Sequence, residues 1–314
     1  MALFDELAKV KVREETIPQK SDLEKILDIE KEIIEQYKTN KDFIPYEPRH
    51  DEAYKTLRAT TQEKIADIPL TSQLLQEYIN ARENKEDSTD AVIRGMYSSA
   101  LLEIICTTQP DTVTVIDGKG KTFNYLFYHI HNLKNLTLKN IKGNNILKDA
   151  GSYGGNIEYL TLHNIEGSYL LVDAAFKNGS AKYITLQDII GNNTLSGAGE
   201  NYGNIEYLTL SNIIGIATLS CAGKRGGIIK NITLQDITGD NTLQNAVRFE
   251  GNAKNITLSN VTGKRILDGA AYYNGSLKQV AFNYIINETA IISPHLGGTM
   301  KSIFKENKIK TWQK

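Results

Sequence analysis

The segments NITLQDITG at residues 231–239 and NITLSNVTG at 255–263 are two copies of one pattern that recurs every 24 residues. An aliphatic–Thr–aliphatic tripeptide begins at positions 136, 160, 184, 208, 232 and 256, and VAF stands at 280. Two residues beyond each tripeptide comes Asn or Asp, followed directly by Ile or Val. Self-similarity at a fixed period of this size predicts a solenoid, in which each repeat forms one coil and buries its apolar side chains against its neighbours.

The other columns of the repeat describe the interior of one coil. In each tripeptide the two aliphatic side chains point inward and the Thr points outward, which is the period-2 pattern of a strand with one buried face. Two glycine columns predict turns, and a Leu and an Ala column between them predict further inward positions. The first glycine column is Gly143, Gly167, Gly191, Gly215, Gly239 and Gly263, and the second is Gly155, Gly179, Gly203, Gly227, Gly251 and Gly275. The Leu column is Leu147, Leu171, Leu195, Leu219, Leu243 and Leu267, and the Ala column is Ala150, Ala174, Ala198, Ala222, Ala246 and Ala270.

Residues 1–110 have a different pattern and predict a small α-helical N-terminal domain. Ser21 followed by Glu24 is a capping-box signature, which predicts a helix over 21–38. Apolar residues at helical spacing predict three further helices, over 51–66, 71–83 and 88–107. We expect these helices to cover the first coil of the solenoid.

Residues 111–314 form the predicted β-solenoid domain. It comprises an N-terminal cap coil at 112–135, six regular repeats at 136–279, and a C-terminal cap coil with a basic tail at 280–314. Terminal coils of solenoids are atypical because they cover the core and block edge pairing. In the first cap Val113, Val115, Asp117 and Gly120 match the repeat in a slipped register. In the second, Ile291 is expected on the Leu column and Pro294 on the Ala column.

The rungs quoted above resemble those of right-handed parallel β-helix proteins of the pectin-lyase-like superfamily, in which an Asn after the strand stacks into a ladder. The resemblance covers about residues 136–290 and implies an all-β solenoid, a right-handed parallel β-helix, with no particular enzyme. A leucine-rich-repeat solenoid is the alternative, because residues 157–164 approximate LxxLxLxxN and DAAF at 173–176 is similar to bacterial repeats. Its asparagine arrives one residue early, and two glycine turns per coil favour three short strands instead.

Charge divides the chain in two, although the net charge of the whole is only −1. Residues 1–110 carry 22 acidic and 15 basic residues, net −7, whereas 111–314 carry 15 and 21, net +6. The last fourteen residues alone contribute +4. This asymmetry suggests attraction between the acidic helical module and the basic C-terminal cap, within one molecule or in a homo-oligomer. The basic excess is too small to predict nucleic-acid binding.

Two further features bear on location. The chain holds no run of about 18 apolar residues, and its first ten residues are charged where a signal peptide is apolar, so we expect a cytoplasmic protein without a membrane segment. Cys106 and Cys221 are too few for a disulfide framework.

The variable stretch of each coil lies just before its second glycine and gathers aromatic and cationic side chains. Variable positions of a solenoid line one edge, and residues of these types are enriched at binding surfaces. We therefore predict a binding ridge for a macromolecular partner, with protein favoured and glycan as the alternative. Its residues are Tyr153, Phe176, Lys177, Tyr202, Lys224, Arg225, Arg248, Phe249, Tyr272 and Tyr273.

Evidence for catalysis is weak. Asp149 and Asp173 share one column and lie one rung apart, but no Arg or His adjoins that column predictably, so we interpret both as turn-capping residues and predict no catalytic residue. His129 and His131 stand two apart on an expected strand, and no third ligand has suitable spacing, so neither a metal nor another cofactor is predicted.

The leading interpretation is therefore a non-enzymatic structural or protein-interaction scaffold, in which the helical module serves capping or assembly. The alternative is a carbohydrate-active or glycan-binding β-helix protein of pectin-lyase-like type.

Overall fold

The computed structural model describes residues 20–39, 50–82, 88–287, 299–306 and 310–311. Four helices come first, α1 (Asp22–Lys38), α2 (His50–Lys64), α3 (Ser72–Asn80) and α4 (Thr89–Thr108). Ten strands follow: β1 (Thr114–Asp117), β2 (Asn132–Lys142), β3 (Asn156–Glu166), β4 (Ser180–Ile190), β5 (Asn204–Ile214), β6 (Ile228–Thr238), β7 (Asn252–Gly263), β8 (Ser276–Asn287), β9 (Thr299–Glu306) and β10 (Lys310–Thr311).

The strands pair in parallel and in chain order from β1 to β8, and both β9 and β10 pair with β8. From β2 to β8 the register is one full repeat, so that Leu160 lies beside Ile184 and Ile184 beside Leu208. This confirms the predicted β-solenoid and its period, after a helical N-terminal region. The expectation of three short strands per coil is wrong. Each regular coil has one long strand, such as β3 or β7, and a wall of consecutive turns closes it.

Strands β2 to β7 each bend at the Asn/Asp column. Asn140, Asn164 and Asp188 have φ values of 56°, 54° and 56°, in the left-handed region that Asn and Asp tolerate best among residues with a side chain. Their side chains also hydrogen-bond between rungs: Asn164 Nδ2 donates to Asn140 Oδ1 at 2.8 Å, and Asn212 Nδ2 donates to Asp188 Oδ1 at 2.7 Å. The column therefore sets the bend and joins neighbouring coils.

The turn wall has a left-handed residue at every second position. In one coil Asn193, Leu195, Gly197 and Gly199 have φ between 55° and 71°. Their N–H groups donate alternately to the following and the preceding coil, whereas the N–H groups between them close turns within the coil, such as Ala198 N to Leu195 O at 3.2 Å. Because of this alternation, the backbone N–H groups of the wall have hydrogen-bond partners although the wall contains neither a strand nor a helix.

The core runs through the coils as the predicted columns. The inward aliphatic residues of the strands and the Leu and Ala columns of the turn wall are almost completely buried. The first glycine column lies backbone on backbone, because a Cβ placed on Gly191 would lie 1.7 Å from Gly167 O. A side chain has no room there.

All four predicted helices are present, and the Ser21–Glu24 capping box forms. Helix α4 packs directly on the turn wall of the first coil. A Cβ on Gly95 would lie 2.2 Å from Tyr125 O, and Ser99 Oγ donates to Tyr128 O at 2.8 Å. The helices therefore cover the edge of the first coil, as expected. None of the helices in the described residues is both long and apolar enough to cross a membrane.

The terminal coils are slipped. Strand β1 places Thr114 beside Leu136, two positions short of a full repeat, with Ile116 buried and Val113 exposed. Strand β9 places Thr299 beside Ser276, one position short of a full repeat. The positions predicted for Ile291 and Pro294 lie outside the described residues.

Candidate functional site

The predicted ridge is a continuous edge of the turn wall. We define the ridge as residues 152–154 and their equivalents in the next five coils, at 176–178, 200–202, 224–226, 248–250 and 272–274. Backbone hydrogen bonds join its successive rungs, for example Arg225 N to Arg248 O at 2.9 Å and Phe249 N to Tyr272 O at 3.0 Å. The ten predicted residues therefore lie along one edge. They form three groups, and the middle and C-terminal groups meet where Lys224 Nζ lies 5.9 Å from the ring centroid of Phe249.

The group at the C-terminal end surrounds Arg248 with aromatic rings. Its guanidinium carbon lies 4.8 Å from the ring centroid of Phe249, 5.0 Å from that of Tyr272 and 5.2 Å from that of Tyr273. Phe249 and Tyr273 stack on each other with centroids 4.8 Å apart. Both residues remain more than a third exposed, so this stack presents apolar surface to solvent.

The middle group combines charge with an open cleft. Glu200 Oε1 lies 3.1 Å from Arg225 Nη1 and 3.8 Å from Lys224 Nζ. Tyr202 is 66% exposed. Its ring lies over Gly226 and occupies the space that a side chain at position 226 would need. A cleft of about 460 Å³ is lined by Asn201, Tyr202, Arg225, Phe249, Glu250, Tyr273 and Asn274. This volume is within the usual range for ligand-binding clefts.

At the N-terminal end, the rings of Tyr153 and Phe176 meet edge to face, with centroids 6.0 Å apart. Lys177 Nζ lies 4.9 Å from the centroid of the Tyr153 ring. The faces of several ridge rings are thus in contact with the protein's own cations.

The backbone of the ridge is unfavourable for the side chains it carries. Tyr153, Tyr202, Arg225, Phe249 and Tyr273 all have φ between 50° and 65°, where glycine and asparagine are preferred and other residues are strained. Burial offsets the same strain in the Leu column, but these ridge side chains are partly or largely exposed. Their presence is therefore not explained by the turn itself. Exposed Tyr169 and Arg265 have φ in the same range outside the ridge, so the recurrence of aromatic and cationic side chains distinguishes the ridge, not the strain alone.

A second feature lies beside the ridge, in the column of Asp149 and Asp173. His129 N donates to Lys148 O in the same way that Asp149 N donates to Val172 O, so His129 begins this column although it stands less than a full repeat before Asp149. The expectations that His129 lies on a strand and that no His adjoins the column are both wrong. His129 Nδ1 is 3.7 Å from Asp149 Oδ2.

Asp173 has an unusual environment in this column. Its carboxylate lies in the space that the absent side chain of Gly197 leaves open. Burial and then the nearby Asp149 raise the pKa of Asp173 from 3.8 to about 7. A carboxyl group with a pKa near neutral pH can both donate and accept a proton there. Enzymes use such a group beside a second carboxyl group in acid–base chemistry.

The two histidines meet a third potential ligand that the sequence spacing did not reveal. Asp51, in the first turn of α2, has Oδ1 2.8 Å from His131 Nε2. One donor atom each from Asp51, His129 and His131 lies within 4.8 Å of the others. Burial, and then the neighbouring His129, lower the pKa of His131 to about 4, so its imidazole is neutral at pH 7. Asp51 is therefore a third potential ligand, which the spacing of the sequence did not indicate.

On the strand-bearing side of the coil, Tyr159, Tyr183 and Tyr207 form a ladder. Their rings stack with centroids 4.9 and 4.8 Å apart, and Lys182 Nζ lies 5.9 Å from the ring centroid of Tyr159 and 5.5 Å from that of Tyr183. This tyrosine ladder has the same residue types as the ridge but lies on regular strand backbone, so it is a useful internal comparison.

Fold and site together define a β-solenoid repeat protein with a helical cap at one end and a cationic, aromatic ridge along its turn wall. No protein-family model matches the chain, and neither a curated protein nor a solved structure is significantly similar to it.

Proposed function

We propose that this protein is a non-enzymatic interaction scaffold whose ridge binds an extended segment of a partner protein. One observation carries the proposal: strained, exposed aromatic and cationic side chains recur along the ridge beside an open cleft, where the turns themselves favour small residues. Aromatic residues and arginine are the types most enriched at the energetic centres of interfaces. The solenoid repeats the binding edge at each rung and thereby supports a linear partner.

The partner segment we propose is acidic and carries apolar side chains. The ridge holds four cations, Lys177, Lys224, Arg225 and Arg248, against the two carboxylates Glu200 and Glu250, net +2. Because Arg248 and Lys177 already lie against the ring faces, these rings are poor sites for a cationic ligand. Carboxylates of a partner can instead pair with the guanidinium groups, while its apolar side chains cover Phe249 and Tyr273.

Selection of phage-displayed peptides on the purified protein, followed by calorimetric titration of the enriched peptides, tests the proposal. Enriched sequences are expected to combine Asp or Glu with aromatic or aliphatic residues. Arg248→Ala and Phe249→Ala are each expected to weaken binding by about 30-fold, the effect of losing about 2 kcal/mol at an interface hot spot.

Lys182→Ala is the matched control, because Lys182 also contacts aromatic rings but lies on the tyrosine ladder. Its peptide affinity should equal that of the wild type. The proposal would be contradicted if Lys182→Ala weakened peptide binding as much as the ridge substitutions do. It would also be contradicted if neither ridge substitution changed the peptide affinity while all variants kept the wild-type circular dichroism spectrum.

A carbohydrate-active or glycan-binding function is the second candidate, and the Asp149–Asp173 pair favours it. Glycoside cleavage needs two carboxyl groups, one of them protonated near neutral pH, and exposed aromatic rings can stack on sugars. Release of reducing ends from polygalacturonate, xylan and β-glucan measures this activity. Release that Asp173→Asn abolishes would establish an enzyme, whereas no release from any of the three polymers counts against it.

Two further proposals concern assembly and location. Attraction between the acidic helical module and the basic C-terminal cap would produce a homo-oligomer that dissociates in salt. Sedimentation at low and high salt tests this, and a monomeric mass at both would contradict it. We also propose a cytoplasmic location, since Cys106 and Cys221 are both free thiols, as is usual in a reducing compartment.

A further inference from the structure

The cluster of Asp51, His129 and His131 joins the helical module to the first coil. Asp51 comes from α2, whereas His129 lies in the turn wall of the first coil and His131 directly precedes strand β2. One donor atom of each lies within 4.8 Å of the others, and Asp51 Oδ1 and His131 Nε2 are only 2.8 Å apart. Three donors from two distant parts of the chain therefore converge on one point.

A network of buried groups holds this arrangement in place. Glu103 on α4 accepts hydrogen bonds from the backbone N–H groups of His131 and Asn132, and its other carboxylate oxygen lies 2.7 Å from Arg58 Nε on α2. The same helix α2 places the Tyr54 ring against both imidazoles, with centroid distances of 5.6 Å to His129 and 5.1 Å to His131. The helix that carries Asp51 and the segment that carries the histidines are thus fixed to each other before any ligand arrives, as a preorganised site requires.

The donor set and its burial match a transition-metal site. Two imidazole nitrogens and one carboxylate oxygen suit Zn²⁺, whereas Ca²⁺ and Mg²⁺ prefer oxygen donors alone. His129 is fully buried, but the side chains of His131 and Asp51 keep 11% and 18% of their surface exposed, so two of the three groups still contact solvent. Asp149 Oδ2 lies 3.7 Å from His129 Nδ1, and a shift of less than about 1 Å would bring it within hydrogen-bond distance, where an outer carboxylate orients a metal-binding histidine.

A simple His–Asp ion pair explains less of this geometry. Such a pair exists elsewhere in the chain, between His163 Nε2 and Asp188 Oδ2 at 3.0 Å, on the surface and with no third donor among the described residues. In the buried cluster the ring centroids of His129 and His131 are 5.2 Å apart. An ion pair between Asp51 and His131 alone would not require a second histidine at this position. Donors around one zinc ion lie about 3.3–3.6 Å apart when the bonds are about 2.0–2.2 Å long, so small side-chain shifts complete the site.

We infer that Asp51, His129 and His131 bind one Zn²⁺ ion, with the fourth position open to water or another ligand. The ion cross-links α2 to the first coil and strengthens the cap of the solenoid. It also lies next to the ridge, since the ring centroids of His129 and Tyr153 are 5.5 Å apart. The inference does not depend on the proposed function, because it concerns the cap and would stand without a partner.

The test uses the full chain without a histidine tag, stripped of metal by a chelator and titrated with Zn²⁺ against a chromophoric competitor. The wild type should bind one equivalent, its Tm should rise with zinc, and Co²⁺ should give the intense visible absorption of a tetrahedral site. Asp51→Asn and His131→Gln should each weaken zinc binding by at least about 100-fold. His163→Gln is the matched control and should bind like the wild type.

Three results would overturn the inference. The first is wild-type protein that takes up no zinc and gives octahedral cobalt spectra only. The second is zinc binding that Asp51→Asn leaves unchanged. The third is binding that is lost with His163→Gln instead. The cobalt spectrum of the wild type decides the matter even if a variant fails to fold.

Discussion

Replacement of Gly191 by alanine tests the stacking of the turn wall most sharply. The new Cβ would lie 1.7 Å from Gly167 O, and the two coils would have to separate until this distance reaches the 3.4 Å of an ordinary contact. That movement disrupts the hydrogen bonds between these two coils, from Gly167 N to Ile190 O and from Tyr169 N to Asn192 O, each 2.8 Å long. Overpacking costs about 1–3 kcal/mol and each weakened bond about 1 kcal/mol, so we expect a loss of about 3–5 kcal/mol.

Gly154→Ala is the matched control. Gly154 has φ of 81°, but a Cβ there meets nothing within 4 Å, so the substitution costs only the backbone strain, about 1–2 kcal/mol. Urea unfolding followed by far-UV circular dichroism measures both free energies of unfolding. A Gly191→Ala protein that is as stable as Gly154→Ala would refute the account of backbone-on-backbone stacking.

Three further predictions concern the core, the register and the carboxyl pair. Leu195→Ala should lower the free energy of unfolding by about 2–5 kcal/mol, because Leu195 is completely buried, and urea unfolding measures it. Deletion of residues 204–227 removes one whole coil and should leave a folded solenoid by circular dichroism, whereas deletion of 204–226 breaks the register and should not. The folded-state pKa of Asp173 is about 7 against an ordinary 3.8, so the folded state holds the proton more tightly than the unfolded chain. The free energy of unfolding should therefore fall as the pH rises between these two values, by on the order of 4 kcal/mol, and Asp173→Asn should flatten this dependence in unfolding curves across that range.

The sequence predicted most of the fold because the decisive contacts are repeated. A column such as Leu160, Ile184 and Leu208 carries the same information at every coil, and the two glycine columns mark where the chain turns. The ridge was predicted for the same reason, since positions that vary stand out against constant ones. The turn wall was not predicted, because a buried Leu with positive φ contradicts local preference and is stabilised only by neighbouring coils.

The metal cluster escaped prediction for two physical reasons. Asp51 reaches His131 only through the packing of α2 on the first coil, which leaves no trace in local spacing. The first coil is also shorter than the others, so His129 joins the column of Asp149 at less than the regular repeat spacing. A register derived from the regular coils therefore misplaces His129.

The central claim is that partners bind on the ridge, and site-specific photo-crosslinking tests it most directly. Two proteins are made, each with one tyrosine replaced by benzoylphenylalanine. One carries it in place of Tyr202, which is 66% exposed at the ridge cleft, and the other in place of Tyr159, which is 45% exposed on the tyrosine ladder. Each protein is irradiated with the highest-affinity selected peptide, and the products are mapped by mass spectrometry. The account predicts a crosslink from position 202 and none from 159, whereas a crosslink from 159 with none from 202 would contradict it.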